Sequence, residues 1–148
     1  MKFNLLGKIS IILASLALLA SCGTLPVYNV NNSPVLSMDE KPVTMKEVKT
    51  AILRSGIELG WVMRPVSEGK IHATLRLRKH TAESNITYDT KSYSITYLNS
   101  SGLKYSDGKI HKNYNGWVQN LDKRIRGKIS GISLDRSYSI TPFGVIVK

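Results

Sequence analysis

The sequence contains little cysteine, few acidic residues and no long hydrophobic run. Cys22 is the only cysteine among 148 residues, so an internal disulfide cannot form and a Cys-rich zinc site is excluded. The main apolar stretch, from Ile9 to Ala20, has about a dozen residues, whereas a helix needs ~20 to span the hydrocarbon core of a membrane. These shortages argue against a disulfide-rich domain and against a transmembrane helix at this stretch.

Motifs for catalysis or metal binding are also missing. The three histidines, His72, His80 and His111, form no His-x₃₋₅-His pair, and on one strand His72 and His80 would lie ~26 Å apart. The sparse carboxylates suggest no catalytic pair, and neither a Gly-x-Ser-x-Gly elbow nor a Ser-x-x-Lys box occurs. The sequence therefore predicts no metal, no cofactor, no catalytic residue and no enzymatic activity.

Basic residues outnumber acidic residues. The chain has 21 lysines and arginines against 10 aspartates and glutamates, which gives a net charge of +11. This balance favours anionic partners such as nucleic acid, phospholipid headgroups or acidic polysaccharide. A basic surface that only improves solubility is the alternative.

The N-terminal segment has the pattern of a secretory signal. Lys2 and Lys8 precede or border the apolar stretch, and small residues follow it. Its end, LASC at residues 19–22, resembles the lipobox of bacterial lipoproteins. The resemblance implies that residues 1–21 are removed, that the Cys22 sulfur carries a diacylglycerol, and that the new amino group is acylated. The membrane is then a partner through the acyl chains on Cys22.

The residue after the lipobox indicates a location. Gly23 stands where an aspartate would resemble an inner-membrane retention signal, so the outer membrane, facing the periplasm, is favoured if two membranes are present. This location argues against nucleic acid as a partner. The lipobox, the prolines after it and the run Lys109–Ile129 together resemble small bacterial lipoproteins of uncharacterised function, and no catalytic residue carries over from them.

Residues 22–43 are predicted to be the lipidated cysteine and a flexible tether. Pro26, Pro34 and Pro42 remove backbone donors and restrict the residues before them, so regular structure is not expected. About 20 extended residues reach at most ~70 Å, which would let the domain stand off from the membrane. A short edge strand around Val35 and Leu36 is the alternative.

A globular domain is predicted over residues 44–131, and it begins and ends with a helix. Thr44 and Glu47 have the spacing of a capping box, and Gly56 or Gly60 is expected to end the first helix. Apolar residues recur at helical spacing from Tyr114 onward. The predicted N-cap of this second helix is Asn113 or Asn115, and its predicted end is Gly131.

Four segments between the helices are predicted to be strands, the first because it is rich in strand-forming residues and the other three because they alternate apolar and polar residues, as half-buried strands do. The clearest carries Ile71, Ala73, Leu75 and Leu77 on one face. The predicted class is α+β, a four-stranded antiparallel meander in the order α-β-β-β-β-α, with both helices packed on this face. The four segments are Trp61–Val66, Ile71–Lys79, Asn85–Asp89 and Ser92–Tyr97.

Residues 132–148 are predicted to be a C-terminal tail. Its apolar run Phe143–Val147 would be prone to aggregation if exposed, which favours docking as a further strand. A flexible tail is the alternative.

The polar face of the clearest strand is the best candidate binding site. His72, Thr74, Arg76 and Arg78 alternate with its apolar residues, and arginine binds carboxylate or phosphate through paired N–H groups. The site is predicted to bind an anionic envelope component or an acidic protein. An ordinary solvated face is the alternative.

A second candidate surface is the back of the final helix. Gly116 and Gly127 are close to three turns apart, on the side opposite the apolar stripe. Small residues there would let another chain approach closely. Tolerated surface glycines are the alternative.

These patterns predict a lipid-anchored module that acts by binding or assembly rather than by catalysis. A periplasmic hydrolase with an unrecognised site is one alternative. A protein that binds anionic lipid or peptidoglycan directly is another.

Overall fold

The computed structural model describes residues 23–39 and 41–137, which form seven strands and three helices. In chain order the elements are β1 (Thr24–Pro26), β2 (Val30–Pro34), α1 (Met45–Glu58), β3 (Val62–Ser67), β4 (Lys70–Leu77), β5 (His80–Tyr88), β6 (Ser92–Ser101), β7 (Lys109–His111), α2 (Lys112–Ser130) and α3 (Ile132–Ser137).

The strands form two antiparallel sheets. The larger has five strands in the order β2-β6-β5-β4-β3, and the smaller pairs β1 with β7. The α+β class and the meander from β3 to β6 are confirmed. The predicted count of four strands and the order α-β-β-β-β-α are wrong, because β1 and β2 precede α1 and β7 precedes α2. Strand β2 is an edge strand just before the position that was predicted as an alternative.

The segment predicted to be a tether supplies both β1 and β2. Pro34 does not prevent this, because it ends an edge strand, where a missing N–H is tolerated. The Asn29 side chain accepts a hydrogen bond from the backbone amide of Tyr97 at 2.8 Å, and the backbone amide of Asn32 donates to the Ser94 hydroxyl at 2.9 Å. Local preference predicts a loop here, but these contacts with β6 hold a strand.

Helix α1 begins and ends at signals in the sequence. Both halves of the capping box form, since the Thr44 hydroxyl accepts from the Glu47 amide at 3.3 Å and the Glu47 carboxylate accepts from the Thr44 amide at 2.8 Å. After the helix, Gly60 has φ +80°, a conformation that glycine adopts readily. The predicted start at Thr44 is confirmed. Of the two glycines predicted as possible ends, Gly56 and Gly60, it is Gly60 that follows the end of the helix.

The inner face of the large sheet forms the core with the two long helices. Ile71, Ile86 and Ile95 lie side by side on β4, β5 and β6, and all three are fully buried. Leu75 is also buried, as predicted. Leu77 is not, because β4 ends there and leaves 44% of the residue exposed.

Two polar contacts hold α2 against this face. The Tyr114 hydroxyl lies 3.0 Å from the Ser84 hydroxyl, and the Tyr93 hydroxyl donates to the Asp122 carboxylate at 2.6 Å. Burial raises the pKa of Tyr114 to about 12 and also raises the pKa of Tyr93, so both phenols stay protonated. Buried partners of this kind fix the position of the helix along the sheet.

Helix α2 begins earlier than predicted. Its N-cap is His111, whose Nδ1 accepts a hydrogen bond from the Asn113 amide at 3.2 Å. Asn115 does not cap the helix, because its buried side chain donates to the Pro26 carbonyl at 2.8 Å instead. The predicted end at Gly131 is confirmed.

The described part of the tail is helical rather than extended. Helix α3 covers its first six residues, and Arg136 holds it to α1 by donating to both Glu47 carboxylate oxygens, at 2.7 and 2.8 Å. Arg136, together with the Thr44 amide, lowers the pKa of Glu47 to about 2. The predicted docking of Phe143–Val147 concerns residues outside the described ranges.

Candidate binding site on the outer face of the sheet

The outer face of the sheet carries the polar residues that alternate with the core residues. On β4 these are His72, Thr74 and Arg76. The strand register places Arg64 of β3 opposite His72, and Glu83 of β5 opposite Thr74. The five side chains therefore share one side of three adjacent strands.

These five residues, with Val62, line a depression of about 250 Å³. Arg64 and Arg76 are exposed, whereas His72, Thr74 and Glu83 are half-buried. Among the lining residues, two guanidiniums stand against one carboxylate, so the depression is positively charged. An anion is the ligand that this charge favours.

A chain of hydrogen bonds runs across the three strands. The Arg64 Nη2 lies 3.3 Å from His72 Nδ1, and His72 Nε2 lies 3.0 Å from the Glu83 carboxylate. A guanidinium can only donate, so Nδ1 is the acceptor and the neutral ring carries its proton on Nε2, which donates to Glu83. This chain fixes the position of Arg64 relative to β4 and β5.

The same chain determines what His72 can do. Its one lone pair faces the Arg64 guanidinium, whereas in a nucleophile–histidine–carboxylate arrangement it faces a hydroxyl or thiol. His72 therefore acts as a spacer between opposite charges. The guanidinium has five N–H donors, so Arg64 keeps further donors for an anion in the depression.

The structure gathers three of the four residues predicted for this site. His72, Thr74 and Arg76 line the depression, but Arg78 does not. Arg78 lies in the turn after β4 with φ +53°, because the strand ends two residues earlier than predicted. Its position in the turn places it at the end of the sheet rather than on the outer face.

Two charged residues of the site were not predicted from the sequence. Arg64 and Glu83 reach His72 only through the pairing of β3 and β5 with β4. The predicted strand segment also begins at Asn85, whereas β5 begins at His80, so Glu83 falls outside the predicted strand. The available signal was the alternation of Val62, Arg64 and Val66, all exposed, on β3.

The two glycines predicted for a helix contact lie on α2 with open space around them. A Cβ added to Gly116 or Gly127 would meet no atom within 4 Å, apart from neighbouring residues and the backbone of the helix itself. Gly127 lines a hollow of about 570 Å³ with Lys123, Arg124 and Lys128. Approach by another chain through these glycines stays a prediction.

Cys22, the predicted lipidation residue, lies outside the described residues. Within the described residues, no three His, Cys, Asp or Glu side chains cluster in a way that could hold a metal ion. The helices found there are also too short or too polar to cross a membrane. No protein-family model matches the chain, and no curated protein or solved structure is significantly similar to it.

Proposed function

We propose that this protein is a lipid-anchored lipoprotein of the bacterial envelope that binds an anionic group on the outer face of its sheet, without catalysis. The observation that supports binding is the gathering of Arg64 and Arg76 around one depression, with His72 and Glu83 holding Arg64 in place. The lipobox at 19–22 supports the anchor, and the glycine after it favours the outer membrane.

The proposed ligand is a carboxylate or phosphate group of an envelope component. The planar guanidinium fork matches both groups, and hydrogen bonds to charged groups contribute ~1.5–3 kcal/mol each. A depression of about 250 Å³ has room for one such group rather than for a folded partner. An acidic protein would instead present its carboxylates over a larger area.

Binding of purified peptidoglycan and of inorganic phosphate by the full-length lipidated protein, in a neutral detergent, tests this proposal. Co-sedimentation measures the first probe, and NMR titration measures the second. The variant R64S/R76S should bind at least about tenfold more weakly, because losing one charge-assisted hydrogen bond already costs about 1.4 kcal/mol or more. The matched control is K70S/K91S, which removes two exposed cations outside the depression, one at the start of β4 and one in the β5–β6 turn.

Equal weakening of both double variants would contradict the site, because it would show dependence on net charge alone. A wild-type protein that binds neither probe would contradict the ligand class, and selective binding of an acidic peptide would then favour a protein partner. Cleavage of the peptidoglycan by the pure protein would favour the hydrolase alternative.

A further inference from the structure

The chain is fastened to the domain from the first described residue onward. The Gly23 carbonyl accepts a hydrogen bond from the Lys112 amide at 3.0 Å, and β1 then pairs with β7. The Val27 amide donates to a carbonyl of the β6–β7 loop at 2.9 Å. The Tyr28 amide donates to the side chain of buried Asn115, also at 2.9 Å. These contacts leave no tether between Gly23 and the large sheet.

This attachment limits the distance between the domain and the membrane, and the argument rests on the proposed lipidation of Cys22. The Cα atoms of Cys22 and Gly23 are ~3.8 Å apart, because one peptide bond joins them. The polar layer of a bilayer is roughly 5–7 Å thick on each side. A domain held one residue from an acylated cysteine therefore has its Gly23 end in or against that layer.

Three further segments lie at the same end of the molecule. The His111 amide donates to the Leu103 carbonyl at 2.8 Å, and the His80 Nδ1 lies 2.8 Å from the Gly102 carbonyl oxygen. The rings of His80 and His111 stack with centroids 6.4 Å apart. These contacts place the β4–β5 turn and the start of the β6–β7 loop beside the start of α2, and hence beside Gly23. We call this surface the anchor end, formed by residues 23–25, 77–80, 101–104 and 110–113.

The anchor end is cationic and partly apolar. None of its residues is an aspartate or glutamate, and none takes part in the salt bridges found among the described residues. Leu25 and Leu77 are 50% and 44% exposed. Its four cations, all exposed, are Arg78, Lys79, Lys104 and Lys112.

We propose that the anchor end rests on the bilayer, with these four cations on phosphate-bearing lipid headgroups and the two leucines in the interface. Cations near an anionic lipid surface are attracted to it, and long basic side chains keep their charge among the headgroups while their stems cover apolar surface. A second attachment of this kind complements acyl chains, since stable membrane binding usually combines two signals. Arg78, which does not line the depression on the outer face, binds lipid headgroups in this arrangement.

Fluorescence quenching in vesicles tests the orientation. Acylation blocks the thiol of the single native cysteine, so S101C and T90C each introduce one reactive thiol into the lipidated full-length protein. Both positions are exposed and uncharged, but Ser101 lies at the anchor end and Thr90 lies in the turn between β5 and β6. Over the length of β5 the two ends are separated by roughly 26 Å at ~3.3 Å per residue.

A dye at S101C should lose its fluorescence when the vesicle lipids carry a headgroup spin label, and the same dye at T90C should keep it. Adding R78S/K79S should reduce the quenching at S101C in phosphatidylglycerol-containing vesicles, whereas K70S/K91S should not. Phosphatidylcholine carries a phosphate group but no net charge. An effect of R78S/K79S that persists in phosphatidylcholine vesicles indicates contact with the phosphate group, and an effect confined to phosphatidylglycerol indicates attraction to net lipid charge.

Equal quenching at the two positions, or none at either, would overturn the orientation if palmitate labelling and flotation with the vesicles persist. Loss of palmitate labelling in the wild-type protein would instead overturn the anchor, and the orientation with it. The two failures are therefore distinguishable in one preparation.

Discussion

The two ends of the large sheet differ in charge. The anchor end has four cations and no carboxylate. The opposite end, which we call the far end, is formed by the β3–β4 and β5–β6 turns, where the Tyr88 amide donates to the Gly69 carbonyl at 2.9 Å. Its charged residues, whose charges cancel, are Glu68, Lys70, Asp89 and Lys91. Of the two ends of the sheet, the one with net positive charge is thus the one where the lipid anchor would leave the domain.

The two ends are also held together by different chemistry. At the far end, the Asp89 carboxylate accepts hydrogen bonds from the Lys91 and Ser92 amides, both at 2.7 Å. At the anchor end, backbone groups and a histidine ring provide the corresponding contacts. Acid can therefore weaken the far end by protonating the Asp89 carboxylate, whereas the hydrogen bond of the Lys112 amide at the anchor end joins two backbone groups.

Lengthening the chain between Cys22 and the domain should have the largest effect on the difference in fluorescence quenching between the two ends. A Gly-Ser linker of about 16 residues, inserted between Gly23 and Thr24, has an average reach of roughly 20–24 Å. It should abolish most of the quenching at S101C while leaving palmitate labelling intact, because the domain would no longer be fixed to the acylated residue. Undiminished quenching would contradict the short attachment as its cause and leave the cations as the sole attraction.

Acidification should loosen the far end more than the anchor end. Hydrogen bonds from the Ser92 and Lys91 amides lower the pKa of Asp89 from its ordinary value of 3.8. A carboxylate with a lowered pKa in the fold stabilises the fold above its unfolded pKa, and this stabilisation is lost as the pH falls through the folded value. For Asp89 this loss therefore occurs below pH 3.8.

Hydrogen-exchange protection factors measure this effect. The Lys91 and Ser92 amides should lose protection as the pH falls, and the Lys112 amide should keep it. In D89N the protection of the Lys91 and Ser92 amides should no longer depend on pH. Parallel loss at both ends of the wild-type protein would show global unfolding and contradict a local effect.

Local sequence signals predicted most of the domain. The Thr44–Glu47 capping box, the stop at Gly131 and the alternation around Ile71 each depend on a few neighbouring residues, so one sequence contains the information. The edge strand β2 and the fastening of β1 depend on residues far along the chain, such as Asn115, which lies 87 positions from Tyr28. Prolines and asparagines in that segment predicted a loop because their local preference is the only signal visible there.

The candidate site was also predicted only as far as local sequence signals reach. Alternation placed His72, Thr74 and Arg76 on one face, but it extended the strand through Arg78, because nothing in the composition marks Arg78 and Lys79 as a turn. Glycine and asparagine, which favour positive φ, are both missing there. The partners of His72 required the register of three strands, which alternation does not supply.

The orientation of the domain depends first on the chain being held immediately after Cys22, and amide exchange at Val27 and Tyr28 tests this most directly. Slow exchange is expected at both, because the Val27 amide donates a hydrogen bond to the Gly108 carbonyl and the Tyr28 amide donates to the Asn115 side chain, each at 2.9 Å. The variant N115A should accelerate exchange at Tyr28 more than at Val27. Exchange of both wild-type amides at the rate of an unstructured peptide would contradict the account and restore a flexible tether.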